Sequence, residues 1–190
     1  MATYGYNTDS PFEDKKAIIF NNSGSMMADG RMEYVFNLIR NQTYQKPADI
    51  YINDASGRMR LVAQNYTSNT SFIGSSNNLI PILPLANGDD GWNPYVLAGV
   101  IDLYTEIHII DDGESLFRPL TNSLWILKDH KEPSYMHDVN IHIIRKPEEA
   151  SSIEAHYESM IERLKYESEG MNVTVHFHFA SGHPPGYWRK

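Results

Sequence analysis

The chain has 190 residues, of which 41% are apolar and 21% charged, so size and composition suit one folded domain and exclude wholesale disorder. Its formal net charge of −8 and its scattered basic residues argue against a protein that binds nucleic acid through phosphate contacts alone. The absence of cysteine excludes disulfides and thiolate metal sites.

The sequence predicts a cytoplasmic protein without a membrane segment. Its first residues lack the basic start and apolar stretch of a signal peptide, and its apolar runs are far shorter than the roughly 20 residues that cross a bilayer. Residues 1–14 are polar and turn-rich and are predicted to be an N-terminal arm. One domain is expected over 15–180, followed by a Gly- and Pro-rich tail over 181–190.

Strand and helix patterns alternate from the start of this domain. The apolar run Ala17–Phe20 predicts a buried strand. Apolar residues at three- and four-residue spacing predict a helix over 31–41, with a stripe formed by Met32, Val35, Phe36 and Ile39. Two strands at 50–52 and 59–62 flank a turn and predict a hairpin. Residues 65–92 are rich in Asn, Ser, Gly and Pro and receive no assignment.

The second half continues the alternation. A helix capped by Asn93 and started by Pro94 is expected to reach Tyr104. Further strands are predicted at 106–110, 124–127, 139–144 and 173–179. Between the last two, a helix begins at Pro147 and ends at Gly170, with a stripe formed by Ile153, Tyr157, Met160, Ile161 and Leu164.

These elements predict an α/β fold. We expect a single three-layer domain with a mostly parallel central sheet, one antiparallel edge hairpin and helices on both faces. Ligands of such sheets bind at the carboxyl ends of the strands. Three loops are therefore candidate sites: the loop after the first strand, the loop before the 93–104 helix and the loop after strand 106–110.

The first of these loops, Asn21-Asn22-Ser23-Gly24-Ser25-Met26, offers side-chain oxygens to a cation. Two hydroxyls two residues apart can face one ion, and carboxylates from the other two loops can add charge. Oxygen ligands are those that Mg²⁺ prefers. We therefore predict a Mg²⁺ or Mn²⁺ site with ligands from Ser23, Ser25 and Asp112, to which Asp89 or Asp90 can add a further oxygen. The structural alternative is that Ser25 or Asp29 caps the following helix and that Asp111-Asp112-Gly113 is an ordinary turn.

An apolar strand followed by Asn-x-Ser-Gly-Ser-Met, an amphipathic helix and a hairpin resembles the start of a von Willebrand factor A domain. That family carries Asp-x-Ser-x-Ser after its first strand, a Thr on a second loop and an Asp on a third, which together form its metal-ion-dependent adhesion site. The segment from Ile109 to Gly113 is similar to the third element, and Gly88 to Pro94 to the second. This chain departs from the pattern with Asn21 in place of the leading Asp and with Asp90, or nothing, in place of the Thr. The resemblance thus implies five metal ligands: Asn21, Ser23, Ser25, Asp90 and Asp112.

The resemblance implies a protein-interaction module. Loops 21–26, 86–93 and 111–118 would bind another protein, with Mg²⁺ as the candidate bridge to an acidic side chain of that partner. One alternative is a metal-dependent hydrolase of a phosphate ester or nucleotide, with Asp112 and Asp90 as ligands and a histidine such as His108 as base. A second alternative is a metal-free scaffold subunit. The sequence contains neither a nucleophile elbow nor a phosphate-binding loop of known type.

His176 and His178 share one face of the last predicted strand. This spacing can chelate zinc, with His142 or His108 as a further ligand. The alternative is a strand face that is covered by a helix or exposed to solvent. We favour this structural alternative over zinc binding, because no acidic residue stands beside the two histidines and the chain has no His-Glu-x-x-His helix.

Overall fold

The computed structural model describes residues 15–21, 26, 31–54, 58–68, 91–113, 115–130, 137–169 and 171–180. The predicted N-terminal arm and C-terminal tail lie outside these ranges, as does the centre of the hairpin turn. Three of the predicted metal ligands, Ser23, Ser25 and Asp90, also lie outside the described residues.

Six strands form one sheet. They are β1 (Lys16–Asn21), β2 (Ala48–Asp54), β3 (Arg58–Tyr66), β4 (Glu106–Asp111), β5 (Asp138–Arg145) and β6 (Asn172–Phe179). Their order across the sheet is β3-β2-β1-β4-β5-β6. Every neighbouring pair is parallel except β2 and β3, which form an antiparallel pair at one edge. The predicted mostly parallel sheet with an antiparallel edge hairpin is confirmed.

Helices cover both faces of this sheet, as predicted. They are α1 (Arg31–Thr43), α2 (Pro94–Ile101), α3 (Phe117–His130) and α4 (Ile153–Glu167). On one face, Val35, Phe36 and Ile39 of α1 pack against apolar residues of the sheet that include Ile18 and Phe20. The other three helices pack on the opposite face, over a core that includes Ile19, Ile109 and Ile141. None of the described helices has the length and apolar character needed to cross a membrane.

The strand predicted at 124–127 is wrong, because these residues belong to α3. Leu120, Leu124 and Leu127 are buried, whereas Trp125 is 53% exposed. A run of four apolar residues fits a strand and a buried helix segment equally well. The spacing of the leucines along the segment, four and then three residues, is the helical signal that distinguishes the two.

The remaining elements are present with shifted ends. Asn93 caps α2 as predicted, because its side chain accepts hydrogen bonds from the backbone N–H groups of Tyr95 and Val96. α2 ends at Ile101, before the predicted Tyr104. The helix predicted from Pro147 is a 3₁₀ turn over Pro147–Glu149, followed by α4. Most of its predicted stripe faces the core, but Met160 is 36% exposed.

Candidate functional site

The carboxyl ends of β1 and β4 lie side by side at the centre of the sheet. The chain leaves β1 toward one edge and later returns to build the other, so the crevice between these two strands is the topological switch point where open α/β sheets bind ligands. Asn21 ends β1 and Asp111 ends β4. Asn21 Nδ2 donates to Asp111 Oδ1 at 2.6 Å, and the backbone N–H of Gly113 donates to Asp111 Oδ2 at 3.0 Å. The carboxylate of Asp111 thus links the two strand ends.

Asp112 is the next residue and its side chain is fully buried. Its Oδ2 lies 3.5 Å from Nη1 of Arg31, the first residue of α1. Its carbonyl oxygen accepts from Arg145 Nη1 at 3.0 Å, and the Arg145 guanidinium also pairs with Glu149. That hydrogen bond from Arg145 lowers the pKa of the Glu149 carboxyl. These contacts join β1, β4, β5 and α1 in what we call the edge cluster: Asn21, Arg31, Asp111, Asp112 and Arg145.

Hydrogen-bond donors already contact both carboxylates of the edge cluster. Asn21 turns its amide nitrogen toward Asp111, and the Arg31 guanidinium faces Asp112 Oδ2, so a cation at that oxygen would compete with Arg31. Across the described ranges, no group of three or more Asp, Glu or His side chains is arranged to hold a metal ion. Asn21 and Asp112 do lie at adjacent strand ends, as expected. The five-residue Mg²⁺ site stays a prediction.

A second part of the carboxyl edge holds unfilled hydrogen-bonding capacity. Asn53, near the end of β2, is 1% exposed, and its Nδ2 donates to the carbonyl oxygen of Gly91 at 2.9 Å. Its Oδ1 has no hydrogen-bond partner among the described residues, and neither does Nε1 of Trp92, which is 6% exposed. Gly91 and Trp92 are consecutive, so Asn53 contacts the backbone that leads into Trp92, whose ring packs in the core that α2, α3 and α4 cover.

A chain of hydrogen bonds crosses the sheet face that α1 covers. Glu106 Oε2 lies 2.8 Å from His108 Nε2, and His108 Nδ1 lies 2.9 Å from His142 Nε2. His142 Nδ1 lies 2.9 Å from His178 Nε2, and His178 Nδ1 lies 3.1 Å from the hydroxyl of Tyr34 on α1. We call these five residues the histidine chain. An ionised Glu106, three histidines protonated on Nε2 and a donating Tyr34 satisfy every contact.

The pKa values agree with this protonation pattern. Burial lowers the pKa of His142 to about 3, and the neighbouring histidines act in the same direction. Burial and His176 also lower the pKa of His178. The hydrogen bond from His108, with help from Lys16, lowers the pKa of Glu106 to about 2. His142 and His178 are therefore neutral at pH 7, while Glu106 is ionised.

The predicted zinc alternative gains no support from these histidines. Both ring nitrogens of His142 are used in the histidine chain, and His176 stacks on His142 with ring centroids 4.9 Å apart. Instead of converging on a point, the rings lie side by side across three strands. The strand period places His176 and His178 on one face, but joining them to His108 requires knowing that β4, β5 and β6 are neighbours.

No protein-family model matches the chain, and no curated protein matches it. The resemblance to the von Willebrand factor A family therefore stays a prediction.

Gly113 follows the edge cluster in a conformation that only glycine adopts freely. Its φ is +84°, and a Cβ built there would lie 2.7 Å from the hydroxyl oxygen of Tyr157 and 3.0 Å from Ile143 Cγ2. We expect Gly113→Ala to lower the free energy of unfolding by about 2 to 4 kcal/mol, through backbone strain and overpacking. Urea denaturation measures this change.

Gly99 in α2 is the matched control, because nothing lies within 4 Å of a Cβ built there. Gly99→Ala is expected to leave stability unchanged or to raise it by up to about 1 kcal/mol, since alanine favours the helix. Equal effects of the two substitutions would contradict the argument for Gly113.

Proposed function

We propose that the chain is a protein-interaction module that receives a peptide segment of its partner at the carboxyl edge of the sheet. The observation that carries the proposal is the buried acceptor of Asn53 and the buried donor of Trp92, which have no partner among the described residues. A peptide group offers one N–H and one C=O, so it matches the two atoms in kind, and both atoms must become accessible on binding because they are buried. An unsatisfied buried polar group costs about 1 to 3 kcal/mol, so a ligand that pairs with both gains affinity.

The edge cluster lies beside Asn53, because Asn21 and Asn53 are register partners in β1 and β2. Its contacts fix the ends of β1 and β4, and rigid supports make binding groups more effective because less freedom is lost on binding. The strand order, the antiparallel edge pair and the placement of Asn21 and Asp112 at adjacent strand ends support a von Willebrand factor A-like module.

The role of Mg²⁺ distinguishes two forms of this module. In the ion-bridged form, Mg²⁺ replaces Arg31 beside Asp112 and an acidic side chain of the partner completes its coordination. In the metal-free form, which includes the scaffold alternative, Arg31 keeps its place and the partner binds without an ion. The hydrolase alternative has no support at His108, because both of its ring nitrogens are engaged by Glu106 and His142.

Selection from a displayed random peptide library tests the proposal. We expect the protein to enrich peptides that bind Trp92→Phe about tenfold more weakly than wild type, since this change removes one donor and keeps an aromatic ring. Trp125→Phe is the control, because Trp125 is 53% exposed and lies within α3. Failure to enrich any peptide above an unrelated protein, or equal losses in both variants, would overturn the proposal.

Calorimetric titration of Mg²⁺ and Mn²⁺ into EDTA-treated protein separates the two forms. Saturable binding that disappears in Asp112→Ala supports the ion-bridged form, and the selected peptides should then require Asp or Glu and lose binding in EDTA. Absence of heat and of thermal stabilisation up to millimolar metal supports the metal-free form, and peptide binding should then persist in EDTA.

A further inference from the structure

A groove runs between α4 and the strand β6, on a different part of the molecule from the carboxyl edge. Its volume is about 640 Å³, and Val173, Val175 and Phe177 of β6 contribute apolar surface to it. Within the described ranges, β6 pairs with β5 alone, so its other side is a sheet edge. Alternate residues of such a strand direct their N–H and C=O groups outward, where another strand can pair with them.

Three carboxylates of α4 line the same groove: Glu154, Glu158 and Glu162. They are spaced four residues apart, so they form a stripe with about 6 Å between successive members along the helix axis. In an extended peptide, side chains on one face recur every second residue, about 6.8 Å apart. The spacing of the glutamates along α4 and the spacing of alternate side chains along an extended peptide therefore agree closely over three pairs of opposite charges. Lys165 lies at the end of the stripe and limits it there.

We propose that this groove binds an extended segment of a partner protein that carries basic side chains at alternate positions and adds a strand to β6. Backbone pairing with the edge of β6 would position the segment, and its cations would meet the glutamate stripe. A second copy of this chain is a poor occupant, because pairing β6 with β6 brings two acidic stripes together.

Two hexapeptides of identical composition test the spacing. One alternates, Lys-Thr-Lys-Thr-Lys-Thr, and the other is segregated, Lys-Lys-Lys-Thr-Thr-Thr; both have capped termini and a label for fluorescence anisotropy. We expect the alternating peptide to bind the full chain about tenfold more tightly than the segregated peptide. We also expect its binding to protect backbone amides of β6 from hydrogen exchange. Equal affinities would show attraction by charge alone and would overturn the proposal.

Variants with matched charge locate the site. The triple variant E154Q/E158Q/E162Q should lose about tenfold in affinity for the alternating peptide, since three exposed ion pairs each contribute little and together add up. The control E148Q/E167Q/E169Q changes the net charge equally at residues that do not line the groove, and should stay within about threefold of wild type. Equal losses in the two variants would place binding elsewhere and overturn the proposal. This result is independent of Trp92, so it can fail without affecting the proposal for the carboxyl edge.

Discussion

Acidification is expected to lower the free energy of unfolding by about 1.4 kcal/mol per pH unit through His142 alone, once the pH falls below the ordinary histidine value of 6.5. The pKa of His142 is about 3 in the folded chain, and the main cause is burial. Between these two values the unfolded chain binds a proton that the folded chain does not. The stability from neutral His142 is therefore complete above pH 6.5 and is lost as the pH falls toward 3.

Two other members of the histidine chain also lower the free energy of unfolding when the pH falls. The pKa of His178 is also lowered, so its contribution is likewise lost on acidification. Glu106, whose pKa is lowered from 4.5 to about 2, contributes stability that is present above pH 4.5 and is lost below it. The pKa of Lys16 is lowered from 10.5 by burial, and lysine titrates outside this window.

The geometry explains why a proton on His142 is costly. A protonated His142 donates from both ring nitrogens, so His178 Nε2 would have to become an acceptor and Nδ1 would have to donate to Tyr34. The added charge would also lie beside His108 and His176, in a residue that is 5% exposed. Protonation therefore reverses two hydrogen bonds and places a charge away from water.

Urea denaturation between about pH 7.5 and 4.5 measures this effect. The free energy of unfolding of wild type should fall steeply as the pH is lowered. For His142→Gln, the slope of this free energy against pH should be smaller by the equivalent of about one bound proton, because glutamine does not titrate. His156→Gln is the control, since His156 is exposed on α4 and outside the histidine chain. A wild-type slope that His142→Gln leaves unchanged would contradict the assignment.

The sequence predicts the fold well because its strongest signals are local. Short apolar runs, the Asn93-Pro94 start and the periodic stripes of α1 and α4 each depend on neighbouring residues alone. The run at 124–127 fails because four apolar residues carry no period by themselves. The helical spacing of the leucines can be recognised only over a longer segment that begins at Leu116.

The site is predicted less completely, because its contacts depend on how distant residues orient their side chains. The rule for strand ends places Asn21 and Asp112 correctly at one edge. It does not reveal that Asp111, rather than Asp112, accepts from Asn21, or that Arg31 faces Asp112. The histidine chain depends on lateral strand order in the same way, since His108, His142 and His178 are far apart in sequence.

Asn21→Asp is expected to destabilise the chain by about 3 to 5 kcal/mol in EDTA, because it would replace a hydrogen bond of 2.6 Å with two buried carboxylates in contact. The amide of Asn21 donates directly to Asp111 and joins the two strand ends. An aspartate at the same position would need either a proton or a metal ion between the two carboxylates. This substitution restores the leading Asp of the von Willebrand factor A pattern.

Thermal denaturation of Asn21→Asp with and without Mg²⁺ therefore tests how the edge depends on the side chain that ends β1. If the remaining predicted ligands suit an ion, millimolar Mg²⁺ should recover much of the lost stability, because a cation binds oxygens of both carboxylates. Asn21→Ala loses the hydrogen bond without adding charge, so it should be less destabilised and insensitive to Mg²⁺.

Rescue of the Asp variant alone would mean that the single amide of Asn21 makes the edge independent of metal. Destabilisation without rescue would show that the edge lacks further ligands, and an Asp variant as stable as wild type in EDTA would refute the role assigned to the Asn21–Asp111 hydrogen bond.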